Sequence, residues 1–154
     1  EVVADDLQKL IDDEQHELEV DKQRRQFQAT LKSRLNNNGE TVRADITGTY
    51  ASYREMTDFM EDLQRLYPSN VRVLDMGLTV ENRQTKVISI QFNPASTRNI
   101  WFDCGIHARE WITQASCIWL INQLIDDYNN KVPTIVDLLN YWTVYVAPSL
   151  NPDG

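Results

Sequence analysis

The 154-residue sequence contains only two cysteines and two histidines, and it lacks both long apolar runs and an excess of basic residues. Two cysteines are too few to define a disulfide scaffold, and Cys104 and Cys117 could form one bridge or remain buried thiols. No apolar run approaches the ~20 residues that span a membrane. The formal charge of −8 repels phosphate groups and anionic lipid heads, so we expect neither a nucleic-acid nor a membrane partner.

The composition is that of a globular domain with a packed interior. Apolar residues make up 42% of the chain and include four tryptophans, while the 25% of charged residues can supply an ordinary polar surface. A length of 154 residues suits one domain or a piece of one, and it is too short for two ordinary domains.

A long helix is predicted near the start of the chain, because apolar residues recur at helical spacing behind a possible N-cap at Asp5 or Asp6. The apolar stripe is narrow and the charge is heavy, so most of this helix should be solvated. The stripe consists of Leu7, Leu10, Ile11 and Leu18.

After this helix, Asn, Gly and Ser interrupt the helical periodicity at 33–41, which we interpret as a linker and as a domain boundary.

A second helix is predicted between Ser52 and Pro68. Ser52 and Glu55 have the spacing of a capping box, and Pro68 ends the pattern. The expected apolar stripe consists of Tyr53, Met56, Met60, Leu63 and Leu66.

Three β-rich runs follow this helix. The runs at 71–77 and 86–92 predict a hairpin with a fairly long loop. The run at 99–104 predicts a third strand, which is short and apolar enough to lie inside a sheet.

The remaining residues predict two helices and a fourth strand. Apolar residues between Ile112 and Tyr128 nearly encircle a helix, so most of its surface should be buried. A short helix begins at Pro133, and a strand at 142–148 leads to the turn sequence NPDG. This order implies an α/β fold with a mixed sheet and at least one crossover. We expect the chain to continue beyond Gly154, because a strand followed by a loop normally leads to another element.

Three ionisable residues, His107, Arg109 and Glu110, follow the third predicted strand. Ligands gather at the carboxyl ends of strands in open α/β sheets, so this segment is a candidate site. An imidazole nitrogen and a carboxylate oxygen at this spacing can share one zinc ion, although a catalytic zinc needs three protein ligands. The alternative is a loop histidine beside a salt bridge between Glu110 and Arg109 or another base.

The spacing is not specific by itself, because His16 and Glu19 have the same offset. Those two residues lie in the acid-rich first helix, where an exposed histidine among carboxylates is the ordinary interpretation. Only the position after a strand separates His107 from His16.

The segment DCGIHAREWITQASC at 103–117 resembles the zinc-binding signature of the metallocarboxypeptidases, which include the pancreatic carboxypeptidases A and B. The capped helix, the hairpin with Glu81 and Arg83, the helix after the signature and the closing NPDG also follow that family's order. The family usually has Gly beside the hairpin arginine, where this chain has Asn82, and the change should affect the turn rather than the chemistry. The resemblance implies the mixed-sheet α/β domain of a zinc carboxypeptidase.

The resemblance also implies roles for individual residues. His107 and Glu110 would be the first two zinc ligands, and Arg109 would contact backbone or carboxylate groups of the substrate through its planar fork. Asp103 would help to hold the loop or cap nearby amides. Cys104 and Cys117 would form the disulfide that many digestive members carry, with buried thiols as the alternative. A bridge would fit a secreted protein.

Residues 1–35 are similar to the end of the family's activation peptide and its connecting helix, and 36–154 to the N-terminal part of the catalytic domain. The parent protein would then be a zymogen that a trypsin-like protease activates at basic residues. The same residues could simply complement the C-terminal end of a helix. The main candidates for cleavage are Arg24 and Arg25, with Lys22 and Arg34 as further ones.

The function implied by the resemblance is Zn²⁺-dependent hydrolysis of the C-terminal peptide bond of peptides and proteins. The general base, a second histidine ligand and the groups that grip the terminal carboxylate would lie beyond Gly154, so the chain alone should bind zinc weakly and hydrolyse nothing. Another zinc amidohydrolase of the same fold and a non-catalytic binding protein built from a truncated domain remain as alternatives. The preference for apolar or basic terminal residues would be encoded later in the chain.

Overall fold

The computed structural model describes residues 6–35 and 45–154, with side chains described at 6–25 and 45–154. The chain divides into two compact units, Glu1–Asp45 and Ile46–Gly154. The first unit contains helix α1 (Leu7–Leu35), and all the described strands belong to the second unit.

The side chains of helix α1 that are described, at 7–25, are mostly exposed, as the narrow apolar stripe predicts. Leu7 and Leu10 are 68% and 54% exposed, and the Asp6 carboxylate accepts a hydrogen bond from the Lys9 amide at 3.1 Å at the helix start. Of the predicted linker, residues 33–35 belong to α1 and residues 36–41 lie outside the described part of the chain.

Helix α2 (Tyr53–Leu66) begins at the predicted capping box. The Ser52 hydroxyl accepts a hydrogen bond from the Glu55 amide, and the Glu55 carboxylate accepts one from the Ser52 amide at 2.8 Å. The predicted apolar stripe was wrong in part, because Phe59 is buried and Leu66 is 42% exposed. The buried residues recur at i, i+3, i+4 and i+7, and Leu66 flanks that row. The buried row consists of Met56, Phe59, Met60 and Leu63.

Within residues 45–154 the sheet has four strands in the order β1-β2-β4-β3. Strands β1 and β2 form the predicted antiparallel hairpin, β2 and β4 are antiparallel, and β3 and β4 are parallel. The parallel pair is joined by two successive helices, α3 and α4, which make the crossover. The bounds are β1 Val71–Leu78, β2 Gln84–Ile90, β3 Arg98–Asp103, α3 Trp111–Asn129, α4 Pro133–Tyr141 and β4 Trp142–Ala147.

The core lies on both faces of the two central strands. Val87 and Ile88 are consecutive in β2 and both are buried, as are Thr143 and Val144 in β4. Successive side chains of a strand point to opposite faces, so both faces of the sheet are covered at these positions. This pattern is typical of α/β architecture, in which helices pack on a mixed or parallel sheet.

Two predictions of burial were wrong. Strand β3 lies at an edge of the described sheet, with Trp101 46% and Phe102 39% exposed, because only β4 pairs with it among the described strands. Helix α3 buries one face rather than most of its surface, and Ile112 and Trp119 are 61% and 53% exposed. The buried residues of α3 are Cys117, Ile118, Ile121, Leu124 and Ile125.

We predict that Phe59→Ala lowers the free energy of unfolding by about 3–5 kcal/mol, because it removes a buried aromatic ring and leaves a cavity. Leu66→Ala on the same helix is the matched control and should change it by about 0.5 kcal/mol, since Leu66 is partly exposed. Urea denaturation followed by circular dichroism measures both values. If both variants lose the same unfolding free energy, the assignment of Phe59 to the buried row of α2 is wrong.

Candidate metal centre

Two loops meet at one edge of the sheet because β3 and β4 are parallel neighbours. Their backbone pairing continues past the strands: the Cys104 amide donates to the Ala147 carbonyl at 2.9 Å, and the Leu150 amide donates to the Cys104 carbonyl at 2.8 Å. The Asn151 amide also donates to the Gly105 carbonyl at 3.0 Å. The 104–110 loop is therefore held directly against the 148–154 loop.

The 104–110 loop brings His107 and Glu110 together. The His107 Nδ1 and Glu110 Oε2 atoms are 3.1 Å apart, and the Glu110 amide donates to the His107 carbonyl at 3.1 Å, which closes the turn between them. Two donor atoms that each lie 2.0–2.2 Å from one zinc ion are about 3–3.5 Å apart. The pair therefore fits one zinc ion, and the side chains are 63% and 44% exposed, so an ion can reach them from solvent.

Gly105 determines how the loop leaves β3. Its φ is +64°, and a Cβ atom on this residue would lie 2.5 Å from the Gln114 side-chain nitrogen. The Gly105 amide donates to the Thr113 hydroxyl at 3.0 Å, and that hydroxyl donates to the Glu110 carbonyl at 2.7 Å. The beginning of α3 thus packs against the loop, and only glycine fits both the backbone conformation and the space.

Cys104 and Cys117 are joined by a disulfide, which links the end of β3 to α3. Their Cα atoms are 6.4 Å apart, within the normal range for a bridge. The two cysteines are separated by 13 positions, and closing a loop of this length stabilises the fold by about 3 kcal/mol in the chain-entropy account. The bridge therefore restrains both sides of the 104–110 loop.

Arg109 and Asp103 are exposed on the same segment. Neither side chain makes a hydrogen bond or an ion pair with another residue of the described part of the chain. The structure thus brings His107 and Glu110 together and leaves the Arg109 guanidinium available to a ligand.

The second pair with this spacing behaves differently. Glu19 lies 3.9 Å from the Lys22 ammonium and accepts a hydrogen bond from the Gln23 amide group at 3.3 Å. His16 is exposed on α1 and makes no hydrogen bond with Glu19. Within residues 6–25 and 45–154, no cluster of three or more His, Cys, Asp or Glu side chains could hold a metal ion.

The predicted cleavage residues lie within α1 rather than after it. The Arg24 guanidinium is 3.0 Å from the Asp21 carboxylate, and Arg25 is the next residue of the same helix. Lys22 is the partner of Glu19, and the side chain of Arg34 lies outside the described ones.

Sequence reasoning missed the Asp153 cluster, which consists of Thr79, Glu81, Arg83 and Asp153. The Asp153 carboxylate accepts hydrogen bonds from the Thr79 hydroxyl at 2.8 Å, the Glu81 amide at 3.1 Å and the Arg83 guanidinium at 3.0 Å. Burial raises the pKa of Asp153, but the hydrogen bonds from Thr79 and Glu81 and the charge of Arg83 outweigh it and lower the pKa below its ordinary value. The hairpin residues Glu81 and Arg83 and the turn sequence NPDG are recognisable separately in the sequence, but nothing local indicates that they meet.

Asn82, the departure from the family's usual glycine, lies in the same hairpin loop. Its φ is +60°, a conformation that glycine adopts freely and that asparagine tolerates better than most residues. The substitution therefore preserves the turn that presents Glu81 and Arg83 to Asp153.

Residues 56–154 match the family described as zinc carboxypeptidase. The chain belongs to that family. Carboxypeptidase A2 of Mus musculus is 33% identical over 154 residues, which cover 99% of this chain and 33% of the relative. Carboxypeptidase A1 of Mus musculus is 30% identical, with 100% of this chain and 33% of the relative covered. The chain thus spans about one third of the length of these relatives.

Solved structures agree with the family and with the mixed-sheet fold. The crystal structure of thrombin activatable fibrinolysis inhibitor matches 68% of this chain and 26% of its own, with 29% identity and a TM-score of 0.63. Carboxypeptidase A from Helicoverpa armigera matches 69% of this chain and 25% of its own, with 29% identity and a TM-score of 0.61.

None of the described helices has the length and apolar character needed to cross a membrane.

We predict that Gly105→Ala is more destabilising than Gly48→Ala by about 1–3 kcal/mol. Both glycines have positive φ, so both variants strain the backbone, but a Cβ on Gly48 meets no atom within 4 Å. The additional loss of unfolding free energy in Gly105→Ala should come from the clash with Gln114, so adding Gln114→Ala to this variant should recover it. Urea denaturation gives the unfolding free energy of the three variants. If the double variant is no more stable than Gly105→Ala, the clash with Gln114 is not the cause.

Proposed function

We propose that this chain is the metal-binding part of a zinc-dependent carboxypeptidase, which hydrolyses the C-terminal peptide bond of peptides and proteins. The observation that carries the proposal is the 3.1 Å separation of His107 Nδ1 and Glu110 Oε2 in a loop at the carboxyl end of a strand. Membership of the zinc carboxypeptidase family supports it independently of that distance.

In this proposal the chain's own residues have three tasks. His107 and Glu110 hold Zn²⁺ through the imidazole Nδ1 and the carboxylate. The exposed guanidinium of Arg109 binds backbone carbonyl or carboxylate oxygens of the substrate, to which its planar fork is suited. Zinc, when bound, supplies Lewis-acid polarisation of the scissile carbonyl.

Within residues 6–25 and 45–154, no third His, Cys, Asp or Glu side chain joins His107 and Glu110 in a group that could hold a metal ion. A catalytic zinc takes three protein ligands. We therefore propose that a further ligand and the general base come from residues outside 1–154, so the chain alone binds zinc weakly and hydrolyses nothing.

We predict that Zn²⁺ shifts the ring ¹⁵N signals of His107 and leaves those of His16 in place. Two-dimensional NMR of the ¹⁵N-histidine-labelled chain resolves the two residues, and the variants assign them. Glu110→Gln should weaken zinc binding at His107 about tenfold or more, since even groups outside the ligand set change metal affinity by ~10–100-fold. The matched control, Glu19→Gln, leaves the affinity unchanged. Zinc-dependent shifts at His16, or at neither histidine, would contradict the assignment.

The enzymatic part of the proposal is tested on the full-length product of the transcript. The transcript beyond Gly154 should encode a histidine ligand, an oxyanion-stabilising arginine, a tyrosine and a glutamate base. The protein should release single residues from peptide C-termini, and His107→Ala should abolish the release. A transcript without carboxylate-gripping residues would favour another amidohydrolase, and a stop codon after Gly154 would favour a binding protein.

We further propose that the parent protein is a secreted zymogen, with residues 1–35 as the end of its activation peptide and 36–154 as the start of its catalytic domain. The Cys104–Cys117 disulfide supports the proposal of secretion, because such bridges persist in oxidising compartments. A trypsin-like protease would cut at Arg24 or Arg25. Both residues lie in helix α1, whose described side chains at 7–25 are mostly exposed, and segments with few buried contacts open locally at low cost.

We predict that brief trypsin treatment cuts the chain after Arg24 or Arg25 before it cuts after Arg54. Arg54 is an internal control. Its side chain is 90% exposed, but it lies on helix α2, whose opposite face is buried in the core, so we expect α2 to unfold locally less readily. Mass spectrometry of the first products identifies the site. Arg24→Gln combined with Arg25→Gln should remove those products, and first cleavage at Arg54 would contradict the proposal.

A further inference from the structure

A continuous set of polar contacts leads from the β1–β2 hairpin loop to the proposed zinc ligands. The hairpin loop donates three hydrogen bonds to the Asp153 carboxylate, and the Arg83 guanidinium also donates to the Pro152 carbonyl at 3.1 Å. A second carboxylate, that of Glu81, lies 2.7 Å from the other terminal nitrogen of Arg83. These contacts fix the far end of the 148–154 loop.

Besides the hydrogen bond from the Leu150 amide to the Cys104 carbonyl, the 148–154 loop contacts the 104–110 loop at three further places. The Asn151 amide donates to the Gly105 carbonyl at 3.0 Å, and the Asn151 side-chain amide donates to the Ile106 carbonyl at 3.3 Å. Gly154 packs so closely that a Cβ atom on it would lie 2.8 Å from the Cβ of Ala108. The contacts thus reach residues on both sides of His107.

The side chains of the two proposed ligands make few contacts of their own. His107 and Glu110 are both substantially exposed, and within the described residues the imidazole hydrogen-bonds only with Glu110. Two exposed ligands would lose conformational freedom on binding a metal, which lowers affinity unless the loop is already ordered. Contacts from the neighbouring loop therefore add to the order that the Cys104–Cys117 disulfide and the Thr113 hydroxyl give the 104–110 loop.

We propose that Asp153 is a positioning residue for the metal centre: it anchors the 148–154 loop to the hairpin, and that loop holds the backbone around His107 in its metal-binding conformation. This inference rests on the proposed function, because it assumes that His107 and Glu110 bind zinc. Asp153 itself does not contact the ligands.

The main test is Asp153→Asn in the 154-residue chain, with zinc affinity measured from the His107 ring ¹⁵N shifts. We expect the dissociation constant for zinc to rise about tenfold, the lower end of the range for groups that orient metal ligands. Asp137→Asn is the matched control, because this exposed carboxylate makes no hydrogen bond or ion pair within the part of the chain that is described. It should leave the dissociation constant unchanged.

A metal-free measurement tests the intermediate step. Asp153→Asn should speed hydrogen exchange of the Asn151 and Leu150 amides, which donate to the 104–110 loop, and leave exchange in β2 unchanged. Asn151→Asp removes the side-chain donor to Ile106 and should also weaken zinc binding. If Asp153→Asn does not fold, Thr79→Val provides the test at nearly constant volume. It removes the hydrogen bond from the Thr79 hydroxyl to the carboxylate, together with the one that this hydroxyl accepts from the Arg83 amide.

The outcomes separate this inference from the proposed function. If zinc does not shift His107 in the unchanged chain, the proposed function fails and the positioning role fails with it. If the unchanged chain binds zinc and the Asp153→Asn variant binds it with the same dissociation constant, only the positioning role of Asp153 is wrong. This holds even if the Asn151 and Leu150 amides exchange faster in the variant. Weaker zinc binding together with faster exchange at Asn151, in a variant whose circular dichroism is unchanged, supports it.

Discussion

The parallel pairing of β3 with β4 is the constraint on which the rest of the metal centre depends. Parallel neighbours end at the same edge of a sheet, so the loops that follow Asp103 and Ala147 meet there. Backbone hydrogen bonds from Leu150 and Asn151 then continue the pairing into the loops. This pairing orders the backbone of the 104–110 loop on the side that faces the 148–154 loop.

Parallel strands require a long connection, and α3 and α4 supply it. The same connection contributes to the site, because α3 begins directly after Glu110 and its Thr113 and Gln114 pack against Gly105. The Cys104–Cys117 disulfide makes the junction covalent. The crossover that completes the fold therefore also restrains the loop that carries the proposed ligands.

The two His-x-x-Glu segments illustrate why spacing is a weak predictor of chemistry. In α1 the regular backbone leaves Glu19 in contact with Lys22 and Gln23, which are its neighbours one helical turn away. After β3 the chain turns sharply at Gly105, and the turn directs His107 and Glu110 at each other. The same residue types at the same offset thus form a surface helix in one place and a candidate metal pair in the other.

The sequence alone was sufficient for features encoded in contiguous residues. These include the capping box of α2, the hairpin, the mixed α/β class and the position of His107 and Glu110 after a strand, while the pairing of the cysteines came from the resemblance. Only the tertiary structure decided that β3 lies at an edge of the described sheet, that α3 buries a single face among the described residues and that Phe59 belongs to the core. It alone brought Asp153 to Thr79, 74 positions away. Local patterns specify the elements, but burial and long-range contacts depend on which elements pack together, and that arrangement exists only in the folded chain.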